Sequence, residues 1–148
     1  MATQSEDFMR YMCLIYIEPE KLAALSDNEL AAHCGKCGDW VDELAAAGRN
    51  PVCGALQSPS TAATVRIRNG NLSVTDGPFA ETKEFLGGFT ILEARDLTEA
   101  VQLASKLDVA RVNTVEVRPM LDPGVVVSAP ADVRLVGLIH GLQCAVNQ

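Results

Sequence analysis

Thr75-Asp76-Gly77-Pro78-Phe79-Ala80-Glu81-Thr82-Lys83-Glu84, closed by Gly87-Gly88-Phe89, is the stretch on which the reading of this chain turns. Strand-like runs flank it: Thr64 to Arg68 and Leu72 to Thr75 come before, Phe89 to Ala94 after. Asp can bond its own downstream backbone, Gly accepts positive φ and Pro holds φ at about −65°, so Asp76-Gly77-Pro78 predicts a turn. A polar turn between strands is also where a scaffold presents a carboxylate to a ligand. Asp76 therefore has two roles open to it, turn residue and site residue.

Working outward, Thr64-Val65-Arg66-Ile67-Arg68 and Asn71-Leu72-Ser73-Val74-Thr75 alternate on either side of Asn69-Gly70, the strongest short hairpin signal in the chain. The arginines fall on the face opposite Val65 and Ile67, as solvated strand decoration. Upstream, Arg10 to Ile17 is β-rich and apolar, which predicts a central strand buried on both faces. Ser26-Asp27-Asn28-Glu29 reads as a capping box opening a helix to about Ala47, with Gly48 closing it and Leu30, Cys37, Val41 and Leu44 as its inner stripe. Gly35 and Gly38 weaken that helix in the middle. Val52 to Leu56 is a further strand.

Downstream, Phe89 to Ala94 is a buried strand. Asp96, with Glu99 three residues on, caps a helix to about Leu107, and Val112 to Arg118 alternates until Pro119 stops it. The resulting order is β-α-β-β-α-β with a hairpin insertion, a ferredoxin-like α+β fold over residues 1–120. Phe79, Phe85 and Phe89 are expected as packing anchors, and Gly87-Gly88 as a place where backbone comes close to a neighbour. Residues 121–148 form an extension. Asp122-Pro123-Gly124 is a turn, Val125 to Val127 a short strand, and Leu135, Leu138, Ile139, Leu142 and Val146 recur at helical spacing, so the extension is expected to pack on the domain or on a partner subunit.

With 148 residues the chain suits one domain. Hydrophobic residues are 48% but aromatics only 5%, so the core is assembled from small pieces and stands to gain from a partner. A formal charge of −7 argues against direct nucleic-acid binding, which needs clustered Lys and Arg to neutralise phosphates. Met1 to Asp7 lacks the basic and apolar regions of a secretory signal, and no apolar run reaches the ~18 residues of a membrane span. Five cysteines at irregular spacings fit reduced thiols, and the expected compartment is the cytoplasm.

Gly54-Ala55-Leu56-Gln57, Thr64-Val65-Arg66, the Asp76-Gly77-Pro78-Phe79 segment, Leu86-Gly87-Gly88-Phe89 and Val115-Glu116-Val117-Arg118-Pro119 together resemble the YCII-related family, in its DGPF-domain branch. The likeness covers roughly residues 9 to 120. It implies a ferredoxin-like domain that forms a homodimer, a dimeric α-β barrel, and no single agreed activity. It also implies a proton-transfer dyad of a helix His with an Asp, since a carboxylate orients imidazole and raises its basicity. His33 and Asp76 are the candidates here. The position at which the family often carries His or Tyr aligns with Cys37, and His33 stands one helical turn earlier on about the same face.

His33-Cys34-Gly35-Lys36-Cys37 is a separate candidate. Cys34 and Cys37 share a helix face and, with His33, Cys13 or Cys53, would supply zinc ligands; a closed site needs four, and a second CxxC pair is missing. A redox CxxC wants a helix N-terminus, whereas this one falls about two turns inside. Small buried hydrophobes is the competing role, and no metal or organic cofactor is expected. Glu81, Lys83, Glu84, Arg66 and Arg68 are expected to pair among themselves at the surface. The leading function is a small-molecule enzyme or binding protein with a cleft between helix and sheet, using Asp76 and His33. The alternative is a non-catalytic regulatory or interaction module associated with sigma-factor-type transcription control.

Overall fold

A computed structural model describes residues 7–121. The expected strand and helix of the extension lie outside the described residues. Strand β1 (Met9–Ile17) leads through a short helix α1 (Pro19–Ala23) into the long helix α2 (Asp27–Ala46). Strand β2 (Val52–Ala55) follows, then the hairpin β3 (Ala63–Arg68) and β4 (Asn71–Asp76), strand β5 (Phe85–Ala94), helix α3 (Leu97–Ala104), a 3-10 turn over Asp108–Arg111, and strand β6 (Thr114–Pro119).

Among the described residues, four strands form one antiparallel sheet in the order β2-β5-β1-β6, while β3 and β4 pair only with each other. This mixed α+β arrangement, with the hairpin set between β2 and β5, is compatible with a ferredoxin-like fold. Alternation along β1 and β5 decides the layering. Tyr11, Cys13, Thr90, Leu92 and Ala94 are buried on one face, against Trp40 and Leu44 of α2 and Ala100 and Ala104 of α3. Their neighbours Met12, Leu14, Phe89 and Ile91 face the other way, paired as Met12↔Ile91 and Leu14↔Phe89.

The helix signals act as local chemistry requires. Ser26 accepts from the Glu29 amide while the Glu29 carboxylate accepts from the Ser26 amide, and Asp96 accepts from the Glu99 amide. Helix α2 runs unbroken through Gly35 and Gly38, because burial of Trp40 and Leu44 outweighs the roughly 1 kcal/mol each glycine costs a helix. The indole N–H of Trp40 donates to the Leu103 carbonyl oxygen at 2.8 Å and ties α2 to α3. Asn69 and Gly70 both take positive φ, 51° and 76°, as a tight hairpin turn demands.

Three expectations are corrected. Strand β5 begins at Phe85, not Phe89, because Gly87 and Gly88 belong to it, and its pairing with β1 shifts register between Ile15 and Tyr16. Phe79 is no packing anchor: it is 79% exposed on the loop after β4. The hairpin also departs from a one-faced reading, since Val65, Ile67, Leu72 and Val74 are all exposed alongside the arginines.

Candidate functional site

A cleft of about 300 Å³ separates α2 from the edge of the sheet. Its helix wall is Cys37, Gly38, Trp40 and Val41; its strand wall includes Ile15, Ile17, Cys53 and Thr90; Leu107 and Val109 close one side. Among the described residues, none of the lining side chains is charged. Gly38 is exposed where it borders the cleft, and a Cβ there would meet nothing within 4 Å. On the other wall β2 lies close on β5: a Cβ at Gly88 would come within 2.8 Å of the Gly54 carbonyl oxygen, and one at Gly54 within 2.6 Å of the Phe89 ring.

Beside this cleft stands a buried carboxylate. Asp108 lies between Leu107 and Val109, both in the cleft wall, and its Oδ2 is paired with Nδ1 of His33 on α2. Arg111 Nε approaches Oδ1 at 3.2 Å, and Lys36 Nζ at 3.7 Å. The His33 hydrogen bond, then the charges of Lys36, His33 and Arg111, hold the Asp108 carboxyl below its usual range. A carboxylate fixed on Nδ1 leaves Nε2 as the ring nitrogen for further proton exchange. Cys37, one turn after His33, also takes part: burial raises its thiol, opposed by hydrogen bonding from the backbone at Val109 and Asp108.

The structure thus gives His33 a carboxylate partner, and that partner is Asp108. Asp76 ends β4, exposed and opposite Ala63 in the hairpin. The bonds that close its turn come from elsewhere: the Gly77 amide donates to the Ala62 carbonyl oxygen at 2.6 Å, and the Thr64 hydroxyl to the Gly77 carbonyl oxygen at 2.8 Å. A second, larger hollow of about 900 Å³ borders this loop, lined among others by Tyr16, Ser58, Pro78, Phe79 and Phe85. Lys83 turns to Glu18, at 3.3 Å, and Glu84 accepts from the Thr114 hydroxyl at 3.3 Å; neither pairs with the hairpin arginines.

Of the motif thiols, Cys34 is exposed and Cys37 half-buried in the cleft wall. Among the described residues no group of three His, Cys, Asp or Glu side chains is gathered as metal ligands would be. Sequence reasoning missed Asp108, Trp40 and Thr90. Asp108 sits in a short 3-10 turn with no motif around it, and its one signal was an acidic residue between two apolar ones just after a predicted helix.

The family model of the YCII-related domain matches residues 9–122. An uncharacterised protein of Rhizobium meliloti (strain 1021) is 42% identical over 114 residues, 76% of this chain and 92% of that protein. No helix among the described residues is long and apolar enough to cross a membrane.

Proposed function

The chain belongs to the YCII-related family, and from that premise we propose that it binds a small, largely apolar molecule in the α2 cleft and handles a proton on it through His33, with Asp108 orienting the imidazole. The observation that carries this reading is the position of Asp108: flanked in sequence by two cleft-lining residues, buried, and paired with His33, one helical turn before cleft-lining Cys37. Cys37, which aligns with the position where the resemblance implies His or Tyr, also lines the cleft. Concave, mainly apolar pockets with a few polar groups at their edge suit small ligands.

Asp76 enters the proposal as a second carboxylate, presented from the inserted hairpin. Its side chain is exposed and the turn is closed by other groups, so the charge is free for a ligand. A panel of small carboxylates, phenols and lactones screened by thermal shift tests both residues. A true ligand should stabilise wild type more than His33→Gln at neutral pH. With Asp76→Asn the melting temperature without ligand should match wild type while the ligand-induced shift shrinks. Equal shifts in all three proteins would remove His33 and Asp76 from the site.

We also propose that the domain works as a homodimer. Met12, Leu14, Phe89 and Ile91 form an apolar face turned away from the helices, and the hairpin residues Val65, Ile67, Leu72 and Val74 are 58–67% exposed. A second copy laid against the sheet would cover such a surface, in keeping with the barrel the resemblance implies.

A further inference from the structure

The four described cysteines have unlike surroundings. Cys13 is fully buried, and burial with the neighbouring Cys53 pushes its thiol up to about 11. Cys37 is half-buried and also raised by burial. Cys34 is exposed and outside the cleft. Cys53 is both exposed, on the edge strand β2, and part of the cleft wall, and its Sγ accepts a hydrogen bond from the Thr90 hydroxyl at 3.4 Å. Thr90 is itself buried and lies directly across from Cys53 in the β2–β5 register, so its hydroxyl is held in place.

We propose that Cys53 is a covalent site for small apolar electrophiles, of the α,β-unsaturated ketone and aldehyde class, held in the α2 cleft. The inference rests on the cleft being a ligand site. The uncharged walls, with Ile17, Trp40 and Val41 among them, favour an apolar skeleton and offer no amine to form an imine instead. The thiolate is the attacking species, and the hydrogen bond from the Thr90 hydroxyl positions the sulfur in the cleft wall. Sulfur bonds to the β-carbon, the C=C π bond breaks, and its electrons pass to the carbonyl oxygen as an enolate. The proton given up by the thiol is returned at the α-carbon. The adduct weighs the sum of its parts, and neither oxidant nor reductant is consumed. Holding thiol and β-carbon together turns a bimolecular addition into one with a high effective concentration.

Peptide-resolved mass spectrometry of the full chain after brief exposure to 2-cyclohexen-1-one tests the proposal, with acrylamide as the polar electrophile and Cys34 as the internal reference. Cys53 should be modified at least about tenfold faster than Cys34 by cyclohexenone, a modest share of what positioning can yield, with saturation as the enone is raised. Acrylamide should show little preference. Gly38→Leu, which adds bulk at the border of the cleft, should abolish the preference. Thr90→Val should slow Cys53 and leave Cys34 unchanged, and it carries the test if Gly38→Leu does not fold. Equal labelling of Cys53 and Cys34 by cyclohexenone overturns the proposal. If cyclohexanone, the saturated analogue, still protects wild type but not Gly38→Leu against unfolding, the cleft reading survives without the thiol. If it protects neither, the cleft reading falls too.

Discussion

Nδ1 of His33 and Oδ2 of Asp108 are hydrogen-bonded across 75 residues of sequence, joining α2 to the turn that leads into β6. The pair does two things at once. It anchors the N-terminal half of a helix whose buried residues, Trp40 and Leu44, lie further along, and it holds an imidazole on the turn whose Leu107 and Val109 flank Asp108 and line the cleft.

Acid should expose this anchor. The carboxyl of Asp108 is lowered in the folded state, so its stabilising contribution is complete above the ordinary carboxylate value of about 4 and is lost as the pH falls below it. Glu99 behaves likewise: hydrogen bonds from Arg95, with the charge of Arg49, hold it at about 2. Melting temperature should therefore decline between roughly pH 4 and pH 2. In Asp108→Asn it should start lower at pH 7 and decline less steeply. Identical acid limbs for wild type, Asp108→Asn and Glu99→Gln would show that neither carboxylate is coupled to folding.

Two alanine substitutions should act in opposite directions. At Gly88 a Cβ would press within 2.8 Å of the Gly54 carbonyl oxygen, which is backbone and can yield only if β2 moves off β5. Gly88→Ala should cost about 1–3 kcal/mol in urea unfolding. At Gly38 the added methyl meets nothing within 4 Å and the residue is helical, so Gly38→Ala should stabilise by up to about 1 kcal/mol. Equal effects at the two sites would contradict the close strand approach at Gly88 and the open space at Gly38 together.

The proposed homodimer is tested by mass. Sedimentation at micromolar concentration should give roughly twice 15.8 kDa. Leu14→Asp, which places a charge opposite Phe89 on that face, should give the single-chain mass with the helix side of the sheet still folded. A wild-type monomer at every concentration would leave the apolar face in water and remove the dimer.

Local signals were legible and long-range ones were not. The capping box at Ser26, the N-cap at Asp96 and the Asn69-Gly70 turn are written in neighbouring residues, and each is found where the sequence puts it. Helix α1 was missed, since Pro19-Glu20-Lys21-Leu22-Ala23 carries no capping side chain and buries nothing. His33 was legible as a candidate, but Asp108 was not, because their pairing depends on how α2 meets the 3-10 turn over Asp108–Arg111 rather than on spacing. Gly38, read only as a weakness in the helix, borders the cleft between α2 and the sheet, a placement that helical spacing does not show. Phe79 failed as an anchor because hydrophobicity alone does not say on which side of a loop a ring falls.

The account stands on the α2 cleft being a ligand site, and the chain carries its own reporter there: Trp40, its single tryptophan, lines the cleft. Tryptophan emission should be followed while cyclohexanone and small phenols and lactones are titrated into wild type and Gly38→Leu. The account predicts a saturable change in Trp40 emission with at least one of these compounds in wild type, and none in Gly38→Leu. Linear, unsaturating responses that are the same in both proteins would contradict it.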